Sequence, residues 1–179
     1  MKKVYDTINQ YCVEHELLTN GDGIVIGLSG GMDSVCLLQV LAALRNEWQL
    51  RLVCVHVHHG IRGTAADEDA AFAQRLAAKY NISFRLYEMD IPQLAKEQGL
   101  SEEEAGRNYR YRCFEEVRKE LNFDKIAVAH HRDDQAETVL WQILRGSGLR
   151  GVCGMRAGRA NIIRPLLCLD RQQIEQIVR

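Results

Sequence analysis

Apolar residues recur at two different periods along the chain, and the alternation between them predicts an α/β architecture. Val4, Ile8, Tyr11 or Cys12, and His15 fall at helical spacing, so residues 2–18 read as an amphipathic helix closed by Asn20-Gly21, a lid or packing element. The short apolar run GIVIGL at 23–28 reads as a strand buried on both faces, and helical character returns over 35–44.

The alternation then repeats. Residues 50–57 (LRLVCVHV) and 82–87 are β-like, with a helix over 66–80 between them. Asp90 and Pro92 open a short helix ending near Gly99, and Ser101 with Glu104 forms a capping box for a helix running to about Leu121. Residues 125–129 (KIAVA) predict a fourth strand and 133–144 a helix. The stretch GSGLRGVCG reads as loop, 162–164 as a strand end, and Asp170 as the cap of a final helix. Strands alternating with helices imply a doubly wound, mainly parallel sheet with helices on both faces.

Composition narrows the class. The 179 residues, 46% hydrophobic and 26% charged, suit one globular domain, expected to span 1–179. The net charge of −1 argues against a wholly basic nucleic-acid coat protein. After Trp141, however, Arg145, Arg150, Arg156, Arg159, Arg164, Arg171 and Arg179 face only Asp170 and Glu175, which either attracts a polyanion or makes a solvated face. Trp141 itself is expected to pack against the sheet. Six unpaired cysteines without CxxC spacing read mostly as buried apolar residues. With no apolar run long enough for export or membrane spanning, the expected compartment is a reducing cytoplasm. The chain stops inside a helical pattern (DRQQIEQIVR), as a piece of a longer protein or a natural helical end would.

Ligands of open α/β sheets bind beyond the carboxyl ends of the strands, which is where 29–34, 56–62 and 130–134 fall. The glycine pair Gly30-Gly31 between strand and helix lets backbone N–H groups approach phosphate; the plainer alternative is a tight βα turn. Ser29 and Ser34 add hydroxyls. Asp33 beside phosphates requires a divalent cation or an arginine to compensate, and without GK[ST] the loop is no Walker A motif. Asp134 and Glu137 share a face at the start of a helix; acids there also serve as macrodipole partners.

SGGMDS resembles the SGGxDS loop of the PP-loop N-type ATP pyrophosphatases, which adenylate substrates and release pyrophosphate. HVHHGIRGTAADEDAAF (56–72), EEAGRNYRY (103–111), AHHRDDQAETVLWQILRGSGLRGVCGM (129–155) and IIRPLL (162–167) resemble, in order, the tRNA(Ile)-lysidine synthetase pattern across nearly the whole chain. The resemblance implies an adenine nucleotide alpha hydrolase-like, Rossmann-like fold. It also implies the reaction: ATP activates O2 of the wobble cytidine of tRNA(Ile), and the amine of L-lysine displaces AMP.

On that resemblance Ser29, Gly30, Gly31, Asp33 and Ser34 bind ATP, and Arg107, Arg110, His130, Asp134 and Glu137 join Asp33 around the reacting centre. Mg²⁺ would be held by Asp33 and Asp134. Departures are His58, where the family has Asn, and Gly106, where it tends to have Ala, a change costing about 1 kcal/mol of helix stability. His59 and Arg62 match an HGxR-like element. The family's further tRNA-contacting region is expected to be missing from these residues; a homodimer is compatible with the pattern. Two rivals share the fold: a PP-loop tRNA thiolation enzyme, which would need paired cysteines, and a non-catalytic ATP-binding sensor, which would not need the Asp33, Arg110, Asp134 and Glu137 set.

Overall fold

The computed structural model describes residues 2–58, 64–146 and 153–178. His59, Arg62, Arg150, Arg179 and most of the glycine-rich stretch lie outside them.

Six strands form one sheet: β1 Gly23–Gly27, β2 Arg51–His58, β3 Ser83–Glu88, β4 Lys125–Ala127, β5 Gly158–Arg159 and β6 Ile162–Ile163, in the order β3-β2-β1-β4-β6-β5. Every neighbouring pair is parallel except β5 with β6. From β1 the strands proceed in one direction to β2 and β3, then return past β1 to β4 and β6. The reversal opens a crevice between the carboxyl ends of β1 and β4.

Period-two burial distributes the core. Ile24, Ile26, Leu52, Cys54, Ala127 and Ile163 point to one face. There they meet α1 (Lys2–Glu14), α2 (Met32–Leu44), α3 (Thr64–Lys79) and the last helix, α7 (Arg171–Val178). Val25, Val53, Val55, Ile126 and Val128 point to the other, against Phe114 and Val117 of α5 (Glu102–Glu120). The short α4 (Ile91–Gln98) packs on α5 through Ile91 and Ala95. The sheet is doubly wound, as the alternation predicts.

The elements differ from expectation in instructive places. Helix α1 stops at Glu14 because Glu16 adopts a left-handed φ of 52°, which turns the chain so that Leu17 and Leu18 enter the core without belonging to the helix. It packs, burying Ile8 and Cys12 completely. Helix α2 begins at Met32, three residues early, so Asp33 and Ser34 form its first turn instead of a loop. β4 ends at Ala127 rather than Ala129.

The largest difference is α6 (Arg132–Leu144). It buries no residue, and Leu140, Trp141, Ile143 and Leu144 are all more than half exposed. Trp141 therefore does not pack against the sheet. Of the arginines after Trp141, Arg164 is buried, whereas Arg145, Arg156, Arg159 and Arg171 are exposed. Cys12, Cys36, Cys54 and Cys113 are buried; burial pushes the first three thiols up to about 12. No helix among the described residues is long and apolar enough to cross a membrane.

Candidate functional site

The phosphate-type loop is built on backbone geometry that its glycines permit. Gly30 has φ +90°, a conformation that side-chain-bearing residues rarely adopt, and Gly31 is the N-cap of α2. Just before it, a Cβ on Gly27 would lie 2.7 Å from the Phe114 ring, so α5 can approach the end of β1 only because residue 27 is glycine. Ser34 Oγ ties the loop together. It donates to Gly31 O at 2.8 Å and accepts from Ser29 N at 3.2 Å.

His56, at the end of β2, locks the same segment from the sheet side. The residue is buried, and Nδ1 donates to Leu28 O at 2.7 Å. Burial is the main cause holding its pKa below the ordinary histidine value.

Across the crevice, α6 starts with a reciprocal cap. His131 Nδ1 accepts from Asp133 N at 3.2 Å, while Asp134 Oδ2 accepts from His131 N at 2.9 Å. With Nδ1 an acceptor, the ring proton sits on Nε2. That nitrogen is 3.8 Å from Asp33 Oδ2 and 3.6 Å from Asp134 Oδ2. The buried imidazole thus faces the carboxylates of both halves of the crevice. Asp33 Oδ1 is buried with no hydrogen-bond partner among the described residues. A carboxyl oxygen left in that state calls for a ligand that is not protein.

Two cavities occupy the carboxyl edge. One, of about 450 Å³, is lined by Ser29, Gly31, Asp33, Ser34, His56, His58, Asp69, Arg107, Arg110 and His130 among others. Its size suits a nucleotide. The second is lined by Arg107, His130, Asp134, Glu137, Thr138, Trp141, Gln142, Arg145 and Met155. Arg107 and His130 border both.

The structure therefore brings together the residues marked in the sequence, but in two compartments. Ser29, Gly31, Asp33, Ser34 and Arg110 line the first; Asp134 and Glu137 line the second. Gly30 contributes conformation and stands beside Asp69. His58 lines the first cavity and contacts Asp67 at 3.3 Å.

The electrostatics follow from the arginines. Burial lowers the pKa of Arg110, with Arg107 adding to the effect. His130 is pushed down to about 4, first by burial and then by the positive charge of Arg164 and Arg107. It is a neutral imidazole near pH 7, and its buried Nδ1 has no partner among the described residues. Arg164, itself 8% exposed, donates to Arg156 O at 2.9 Å and stands close enough to Arg107 and Arg159 for mutual repulsion.

Sequence reasoning gave no individual site role to His56, His131, Asp69 or Arg164, although Arg164 stood in the row of arginines after Trp141 and the two histidines in the clusters at the strand ends. The signals were weak. An isolated histidine on a strand is equally a core residue, and the doubled histidine at 130–131 directed attention to its first member. No group of three or more His, Cys, Asp or Glu side chains among the described residues is arranged to hold a metal ion.

Comparison with known proteins places this geometry. The chain is 48% identical to the tRNA(Ile)-lysidine synthase of Caldanaerobacter subterraneus subsp. tengcongensis over 179 residues, covering all of this chain and 38% of that protein. It is 42% identical to the enzyme of the same name from Clostridium tetani over 173 residues, 96% of this chain and 36% of the relative. It thus spans well under half the length of these curated relatives.

Among solved structures, the fold is similar to a U34-tRNA thiolase from Methanococcus maripaludis with its [4Fe-4S] cluster. The TM-score is 0.75 and the identity 21%, over 98% of this chain and 62% of that one. It is also similar to an NH3-dependent NAD synthetase from Campylobacter jejuni, with TM-score 0.64 and 17% identity over 98% and 71% of the two chains. At such identities the likeness concerns the fold. The sequence model of the PP-loop domain matches residues 2–179, the whole of the sheet and both of its cavities, and by that match the chain belongs to the PP-loop domain family.

Proposed function

We propose that this chain supplies the ATP-dependent chemistry of a tRNA(Ile)-lysidine synthase, adenylating the wobble cytidine and joining it to L-lysine. One observation carries the reading: two cavities, one around a glycine-serine loop and one around two carboxylates, share a border at Arg107 and His130. A reaction with two successive partners at one base needs such an arrangement.

In the first half-reaction ATP occupies the Ser29–Ser34 cavity, with backbone N–H groups and the α2 N-terminus facing the pyrophosphate portion. Cytidine O2 attacks the α-phosphorus, the bond to the bridging oxygen breaks, and pyrophosphate leaves. Arg107 and Arg110 offset the negative charge that builds at the α-phosphate. Asp33 and Asp134 face one imidazole from the two sides of the crevice, and the unpartnered Asp33 Oδ1 suits Mg²⁺, which takes one or two carboxylates together with phosphate oxygens. Bound there, Mg²⁺ would neutralise triphosphate charge.

In the second half-reaction Glu137 and Asp134 hold the lysine ammonium in the second cavity. The amine must lose a proton before it attacks C2 of the base and expels AMP. Neutral His130, on the border, accepts that proton, and the negative charge of bound nucleotide raises its basicity from the low value of the empty site.

Thiolation is the weaker reading. It requires a reactive thiol or paired, cluster-ligating cysteines, whereas the sequence has no CxxC pair, and Cys12, Cys36 and Cys54 are buried with their thiols pushed up to about 12, leaving Cys153 as the exposed one.

The deciding experiment incubates the protein with ATP, Mg²⁺, radiolabelled lysine and unmodified tRNA(Ile). Lysine incorporation matched by AMP and pyrophosphate release is expected. ATP binding without pyrophosphate release would identify a sensor instead. Sulfur incorporation without lysine incorporation would identify a thiolase.

A further inference from the structure

The exposed end of α6 carries a pair that the reaction as described does not use. Trp141 is 60% exposed, and the Arg145 guanidinium carbon lies 4.7 Å from the centroid of its ring. Both residues line the second cavity, on the same helix face as Asp134, Glu137 and Thr138, since 134, 137, 138, 141 and 145 follow the helical repeat. The face thus runs from carboxylates at the crevice to an aromatic–guanidinium shelf about two turns further out, roughly 10 Å at 1.5 Å per residue.

Resting on the functional reading above, we infer that Trp141 and Arg145 form a stacking shelf for an unpaired RNA base next to the nucleotide that enters the crevice. Three observations select this occupant. The shelf is continuous with the proposed reaction cavity through Arg107 and His130, so a strand delivering one nucleotide there passes over it. Its positive charge comes from Arg107 and Arg145, which line the same cavity, while the carboxylates of Asp134 and Glu137 lie nearer the start of the helix. Finally, an indole with one guanidinium beside it offers a π-face to any base and positive charge to its phosphate, the combination used on unpaired nucleic-acid strands. The apolar side chains of Leu140, Ile143 and Leu144 lie outside the second cavity and are no part of the shelf.

The chain has two tryptophans, and Trp48 is tied to Asn9 through its indole N–H at 2.8 Å. In a W48F background, confirmed folded by circular dichroism, fluorescence therefore reports on Trp141 alone. It is titrated at low salt with an anticodon stem-loop of tRNA(Ile), and with the same stem closed as a continuous duplex. Saturable quenching by the stem-loop and little by the duplex is expected.

Trp141→Ala should weaken stem-loop affinity about tenfold and raise the KM for tRNA with the KM for ATP unchanged. Trp141→Phe should restore affinity to within about twofold. Equal affinity of wild type and Trp141→Ala would overturn the shelf alone. So would fluorescence that responds to protein concentration but not to RNA, which would show a second copy covering this face. Failure of the W48F chain to bind either RNA, with ATP binding intact, would overturn the functional reading as well.

Discussion

The imidazole of His56 and the carbonyl of Leu28 are 2.7 Å apart, and the peptide group that begins with that carbonyl ends in the Ser29 N–H held by Ser34 Oγ. The peptide leading into the phosphate loop is thus fixed on both edges, once from the neighbouring strand and once from the helix. His56→Leu leaves Leu28 O without this donor in a dry environment, which costs about 1–3 kcal/mol. ATP affinity should fall about tenfold, with partial recovery in His56→Asn, whose amide can donate to the same carbonyl. Calorimetric titration with ATP on the two variants checks this; equal affinities in Leu, Asn and wild type would confine His56 to the core.

Asp33→Ala should abolish pyrophosphate release and leave the domain folded. Among the described residues its carboxylate faces only the His131 ring, at 3.8 Å, and as a first-turn acid it contributes only about 0.3–1 kcal/mol to α2. Release and melting temperature are measured together. Wild-type release by the folded variant would remove Asp33 from the mechanism.

Glu137 lies in the second cavity and not in the first. Glu137→Gln should therefore keep ATP affinity within about tenfold, equivalent to about 1.4 kcal/mol, while raising the lysine concentration required or stopping product formation. Loss of ATP binding with unchanged lysine dependence would reassign Glu137 to nucleotide or metal.

Stability should fall as pH drops from about 6.5 to about 4. His130 titrates near 4 when folded, against 6.5 for an unperturbed histidine, so across that window the unfolded chain binds the extra proton and is favoured. His56 acts in the same direction. Glu115, held down to about 2 chiefly by its hydrogen bonds to Arg118, adds its own loss only below about 4.5. Urea unfolding at pH 7, 5.5 and 4.5 should show the decline, and His130→Asn should flatten it. An identical slope in that variant would refute the assignment to His130.

Much of this architecture was legible because its determinants are local. SGGMDS marks a glycine-bearing turn between strand and helix, and the short apolar runs GIVIGL and LRLVCVHV read as strands. What was illegible depended on partners distant in sequence. The apolar residues of α6 look like a core face, but hydrophobicity states that a side chain favours burial and not which surface covers it; here the sheet does not. The end of α1 was misplaced because Leu17 and Leu18 continue the apolar pattern past a left-handed residue. Arg164 was one of a row of arginines that either attract a polyanion or make a solvated face, yet it is buried and bonded to Arg156 O. The division of the site into two compartments follows from sheet order, which periodicity does not encode.

The reversal of strand order between β1 and β4 also bears on assembly. The approach of His131 to Asp33 joins positions separated by about a hundred residues, and the Gly23 N–H to Asp124 carboxylate bond spans a similar interval. Neither half of the crevice exists as a binding surface until the long intervening chain has closed, and closure at that separation belongs to the slow, non-local class of folding events. A nucleotide that touches both sides would therefore discriminate against partly assembled chains. Its stabilising effect falls on the completed sheet alone, so substrate acts as a late clasp on the fold as well as a reactant.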